Sequence, residues 1–338
     1  MKITRLMIMG VLLSAICAGQ ANPVPRHVLQ PTGQVLQMPD MQDGKHMGIP
    51  FWSGEYLIQM PIYTHEASDV SLYIWDSQGH MVAEPHIWFD GSIEMCLTSV
   101  QVTSPKSLLV AGYAKKSDGT DAFFIAESDL AGRLGRVVQV SPYIVRHVCM
   151  ASDGTVWAFG NRRSSHSYLL RHFDLDKGYL EGFLTSAAFA GDPNHWPAGS
   201  VSGQYPVFLT CGADRVQILS GHTQEWIELD TKTKAITRYT MKPVPEFPDA
   251  VPFNLAQLDS GGVFASIWRR HTNAHDALTL GIFELQTNEK DKTATWVLLK
   301  TTDGSVPSSL LGTNGQELIY RSENQQGLSR SRPIPVGN

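Results

Sequence analysis

Past residue 30 the apolar positions almost never recur at the i, i+3, i+4, i+7 spacing of an amphipathic helix. They fall instead in short runs rich in Val, Ile, Leu, Tyr, Phe and Trp, broken by Gly, Asp, Asn and Ser, which is the pattern of strands and tight turns. The clearest unit covers 145–183. A strand at 145–150 meets the turn Ser152-Asp153-Gly154, and a second at 155–160 meets the polar loop 161–165. A third at 167–173 ends in a turn over 174–178, and 179–183 leaves as a fourth. The spacing predicts a four-stranded meander.

The same order recurs along the chain. Downstream, strands are expected at 206–210, 215–219, 224–229 and 235–241, then at 253–258, 262–268, 277–285 and 295–300. Upstream, 94–102, 108–114, 122–127 and 136–140 form one copy, and 55–63, 70–75 and 80–88 belong to another. A last copy begins with 308–311 and 317–321 around the turn Asn314-Gly315, and runs one strand short before Asn338. A strand-like run at 33–38 precedes the first copy. Circular closure, with this N-terminal strand completing the final sheet, leaves no open edge there. The layout resembles a six-bladed β-propeller. Residues 151–160, which read Ala-Ser-Asp-Gly-Thr-Val-Trp-Ala-Phe-Gly, are similar to the DGxxW hairpin of bacterial regulator-type and related propeller repeats. The resemblance implies an all-β fold of four-stranded antiparallel blades and no particular activity. Seven blades of about 45 residues, or tandem β-sandwiches, are the alternative architectures. No linker-like stretch divides 22–338, which reads as a single domain.

Composition narrows the classes. Charged residues are 17% of the chain, below the roughly 25% of an average soluble domain, which argues against long exposed helices and coiled coils. With 27 Lys plus Arg against 32 Asp plus Glu, the net charge of −5 speaks against a nucleic-acid binder. Residues 1–21 read as a signal peptide: Lys2 and Arg5 open it, 6–16 is largely apolar, and Gly19 and Ala21 are the small residues before the cleavage site. No later segment reaches the ~20 apolar residues of a membrane span. The mature chain is therefore expected to be exported, to the periplasm or the extracellular space of a bacterium. It keeps Cys96, Cys149 and Cys211, too few and too widely spaced for a disulfide scaffold or a CxxC site. At most one bridge is possible, and buried, inert thiols are the expected state.

In a four-stranded meander the loop between second and third strands shares a face with the connection to the next copy. The longer loops gather on that face, and loops carry function. Superposing Val156 on Val263 brings Arg162 and Arg163 onto Arg269 and Arg270, and superposing Leu109 on Val156 brings Lys115 and Lys116 to the same places. Three basic doublets on one rim point to the recognition of carboxylate, sulfate or phosphate. The loop 188–205 adds Trp196, flanked by Pro193 and Pro197, as a stacking platform. Tyr73, Trp75, Trp157, Tyr168, Trp226, Phe283 and Trp296 alternate along strands and are expected to fill the core. His271, His275 and Asp276 share a hairpin loop and read as solvated, and Asp118 and Asp121 lack the order of a calcium loop. There is no G-x-S-x-G, H-E-x-x-H or P-loop. These features lead to an exported recognition protein, with no cofactor or metal, whose ligand is an anionic glycan, a peptide or an envelope protein. Two alternatives accompany it. One is a secreted hydrolase or lyase acting on polysaccharide or a cyclic compound through His147 or His195. The other is a structural scaffold in an envelope complex.

Overall fold

Short polar turns decide where each strand stops. At Asp153-Gly154-Thr155 the Asp153 carboxylate accepts the Thr155 amide at 2.9 Å and its hydroxyl at 2.6 Å, while Gly154 takes φ 81°. A side chain at that φ would be strained, so glycine is required. The same device recurs at Asp118-Gly119-Thr120.

A computed structural model describes residues 23–33, 36–37, 47–61, 71–161, 168–185, 207–220, 224–244, 247–248, 250–269, 278–321 and 327–336. Those residues are all-β. Strands β1 (His27–Pro31) and β2 (Leu36–Gln37) precede a meander of β3 (Phe51–Ser53), β4 (Tyr56–Gln59), β5 (Tyr73–Trp75) and β6 (Met81–Ala83). The next meander is β7 (Ser92–Ser104), β8 (Ser107–Lys116), β9 (Asp121–Asp129) and β10 (Leu134–Gln139). Then come β11 (Ile144–Met150), β12 (Val156–Asn161), β13 (Tyr168–Asp174) and β14 (Gly178–Thr185). They are followed by β15 (Val207–Cys211), β16 (Arg215–Ser220), β17 (Glu225–Asp230) and β18 (Ile236–Met241). Next stand β19 (Ala250–Gln257), β20 (Val263–Arg269), β21 (Leu278–Asn288) and β22 (Thr293–Leu298), and finally β23 (Ser309–Thr313), β24 (Leu318–Arg321) and β25 (Gly327–Pro335). The last three are completed by β1, which pairs antiparallel with β25 from His27↔Pro335 to Pro31↔Ser331. Parallel backbone pairs fuse β18 to β22 and β23 to β3, so the strands form four sheets.

The apolar side chains pack from each meander onto the next. Leu109, Ala111 and Ile125 meet Val145, Val156 and Phe173, and Trp157, Phe159 and Leu170 meet Val216, Ile218 and Ile227. The last meander meets the first through Leu311, Ile319 and Leu328 against Trp52, Leu57 and Trp75. Burial of such faces is the main stabilising term.

Polar joins supplement it. The Val102 amide donates to Ser53 Oγ at 3.0 Å, the Val148 amide to Ser99 Oγ at 3.2 Å and the Met150 amide to Gln101 Oε1 at 2.8 Å, each pair 49 residues apart. The constant offset means that β7 and β11 run in parallel, their exposed backbone edges capped by side chains rather than by each other. Elsewhere the backbone makes the join directly: the Lys242 amide donates to Ala294 O at 2.8 Å, and the Leu29 amide to Lys300 O at 2.9 Å.

The structure corrects several sequence expectations. Closure uses mainly His27–Pro31, with Leu36–Gln37 the only part of the expected 33–38 strand that also pairs β25 among the described residues. The first strand of the first meander is Phe51–Ser53, not 55–63, because Gly54 at φ 58° turns the chain there. Gly327–Pro335 is a strand whose prolines hid it. Tyr168 is 43% exposed and does not fill the core, whereas Trp75, Trp157, Trp226, Phe283 and Trp296 do. Cys149 and Cys211 are not inert thiols: they form a disulfide, and Cys96 is free and buried.

The closing strand has a polar lock. Glu284, 4% exposed, accepts the Arg26 amide at 3.2 Å and faces His27 Nδ1 at 2.8 Å. Glu284→Ala leaves those donors without their acceptor and is expected to lower stability by about 1–3 kcal/mol. Limited proteolysis near residue 26 should speed up in step, and unchanged cleavage would mean that strand pairing alone holds the terminus.

Candidate functional site

The entrances of the first strands form the relevant end of the molecule. Ser92 pairs with Lys116 and Glu94 with Lys115, so the lysine doublet closes β8 beside the start of β7. Ile144 pairs with Asn161, so the end of β12 lies beside the start of β11. Ala250 pairs with Arg269, which puts Arg269 at the start of β19. Lys115, Lys116 and Arg269 thus occupy corresponding ends of their meanders. Arg162, Arg163, Trp196, His195, Arg270, His271, His275 and Asp276 lie outside the described residues.

The doublet is not a bare basic patch. Lys116 Nζ sits 5.9 Å from the Phe89 ring centroid, and Lys115 pairs across strands with both Glu94 and Asp121. Asp118 is held below the usual carboxylate range chiefly by the Thr120 hydroxyl and amide. Arg269 lies 5.8 Å from the Phe247 ring centroid.

One step further in stands a group that the search for doublets missed. Arg146 is the extra residue of a bulge in β11: Val145 pairs with Gly160 and His147 with Phe159. Bulges re-aim side chains and gather near functional sites. Cys96 of β7 lies within electrostatic range of Arg146. Burial pushes the Cys96 thiol up to about 12, which makes it a poor nucleophile near neutrality. Burial lowers the pKa of Arg146, with Cys96 opposing. Desolvation first, then the charge of Arg146, push His147 down to about 4. His147 is therefore neutral at ordinary pH, and has no proton to give as a general acid there. A charged residue inside the apolar run Ile144-Val145-Arg146-His147-Val148 was the signal available in the sequence.

A second polar cluster belongs to packing. His172 stacks on Trp157 with centroids 4.1 Å apart and bridges Glu181 at 3.0 Å and Thr155 at 2.7 Å. Lys234 of the next meander pairs with Glu181 and lies 5.6 Å from the Trp157 ring centroid. Burial raises the Glu181 pKa, but Lys234 and His172 outweigh it and hold the carboxyl below its usual range. Every partner is internal, so the cluster ties two meanders together. Among the described residues no group of three His, Cys, Asp or Glu is arranged to hold a metal.

No protein-family model and no curated protein matches the chain. Solved structures do. The β-propeller domain of Myceliophteria thermophila Cps50 (Swd1) matches at 10% identity over 88% of this chain and 99% of that one, with a TM-score of 0.46. Kluyveromyces lactis Hsv2 matches at 12% identity over 75% and 86%, with a TM-score of 0.34. A puromycin hydrolase matches at 14% identity over 67% of this chain and 34% of that one, with a TM-score of 0.39. These likenesses are loose and concern the fold alone.

Proposed function

We propose that residues 22–338 form one exported, six-bladed propeller that recognises an anionic ligand, either a glycan or an acidic segment of an envelope protein. Six apolar clusters, each lying between consecutive meanders, with the sixth joining last to first, support six blades closed by β1. The Cys149–Cys211 disulfide and the signal-like residues 1–21 support export to an oxidising compartment. The observation that carries the binding role is the placement of Lys115, Lys116 and Arg269 at the entrances of their first strands. The loops with Arg162, Arg163, Trp196 and Arg270 continue from the same end in this reading.

The test is binding of the purified protein to alginate, heparin and neutral dextran at low and high salt. Binding to the two acidic polymers, weakened by salt, is expected. Lys115→Gln with Lys116→Gln should weaken it several-fold at an unchanged melting temperature. Equal binding to dextran overturns the anionic reading, and no binding to any polymer overturns the glycan as ligand.

A further inference from the structure

We propose that Arg146 is the receptor for an oxyanion, the carboxylate, phosphate or sulfate group of a ligand entering between the starts of β7 and β11. The inference deepens the proposed recognition role and rests on it for the sign of the ligand's charge. It names a different residue, however, on a first strand rather than on the rim.

Three observations converge on Arg146. The bulge removes it from the alternation of β11, with Val145 and His147 taking the paired positions on either side. Its guanidinium is partly buried and, among the described residues, makes no ion pair or hydrogen bond. Arg136, Arg133 and Arg215, by contrast, each face carboxylates: Arg136 has Glu127 and Asp176, Arg133 has Asp129, and Arg215 has Glu228. Desolvating a cation without a partner costs stability, so a fixed, unpaired arginine is a liability for the fold alone. An incoming oxyanion would supply what it lacks, two acceptors matched to the guanidinium fork.

The immediate neighbours suit this role. Cys96 stays a neutral thiol and donates to Leu97 O at 3.6 Å. His147 stays neutral, so Arg146 is the positive charge of the pair. Glu94, two residues before Cys96 on β7, pairs across strands with Lys115.

Inorganic phosphate and a galacturonate trisaccharide are the probes, titrated calorimetrically into the wild-type protein, Arg146→Gln, Arg146→Lys, and the Lys115→Gln, Lys116→Gln double variant. Arg146→Gln should weaken binding of both probes about tenfold or more, with a melting temperature equal to or above that of wild type. Arg146→Lys, which keeps the charge and loses the fork, should fall between. Should Arg146→Gln fail to fold, Arg146→Lys decides alone: affinity equal to wild type overturns the assignment. Wild-type affinity in Arg146→Gln, together with loss in the lysine variant, sinks Arg146 and spares the rim. The converse sinks the rim and supports Arg146. Absence of saturable binding in the wild type defeats both.

Discussion

Trp157→Ala should lower the unfolding free energy by about 3–5 kcal/mol, the range for a fully buried aromatic truncated in a packed core. The indole is 1% exposed. It lies flat on His172 at 4.1 Å and 6°, with Phe183 at 5.6 Å. On its other side the cluster includes Val216, Ile218, Ile227 and Leu229 of the following meander. Truncation would therefore open a cavity in a joint between two sheets, where neither can collapse without dragging its own strands. It would also take the platform from beneath His172, whose bonds to Glu181 and Thr155 depend on ring orientation. Trp157→Phe keeps part of the area and should cost clearly less. Urea unfolding followed by far-ultraviolet circular dichroism reads both variants. A loss below about 1 kcal/mol for alanine would place Trp157 outside the cooperative core.

The second large effect is expected from Cys149→Ser with Cys211→Ser. The bridge joins β11 to β15 and spans 62 residues. Chain-entropy arithmetic for a loop of that size gives about 4 kcal/mol, within the 2–5 observed for native disulfides. Reductant should produce a similar loss in the wild type and none in the double variant. Cys96, with its thiol pushed up to about 12, should react slowly with iodoacetamide in the folded protein and readily after unfolding. Equal midpoints with and without reductant would mean that the bridge does not form in solution.

Sequence pattern exposed the strands best where both neighbours were ordinary. The strands Ile144–Met150, Val156–Asn161, Tyr168–Asp174 and Gly178–Thr185 were legible to within one or two residues, because the turns at Asp153-Gly154 and over 174–178 and the alternating apolar positions mark their ends. It failed where pairing partners lie far apart in the chain. Nothing local reveals that His27–Pro31 lies against Gly327–Pro335, or that Cys149 meets Cys211. Both are set by how meanders pack, not by local preference. Pro333 and Pro335 argue against a strand locally, yet β25 tolerates them. The candidate site was half legible. Basic doublets can be aligned by eye and Arg146 interrupts an apolar run, but its bulge shows only in the pairing of β11 with β12. Its neighbour Cys96 lies fifty positions away in the sequence.

The joins between consecutive meanders are of two kinds, and their distribution is uneven. From β15 through β25 and on to β6, main-chain hydrogen bonds cross every join: β18 to β22, Leu29 to Lys300, and β23 to β3. Around β7–β14, the described joins are side-chain bonds, ion pairs and one disulfide. A main-chain bond fixes two backbones against each other, whereas a serine hydroxyl or a lysine tip can keep its partner through a change of rotamer. The joins of β3 to β7 and of β7 to β11 thus rest on side chains, while the next one, β11 to β15, is tied covalently. Lys115, Lys116 and Arg146 lie on β8 and β11, beside the join where side chains rather than paired backbones hold β7 to β11, so these strands can shift against each other without breaking a main-chain pair.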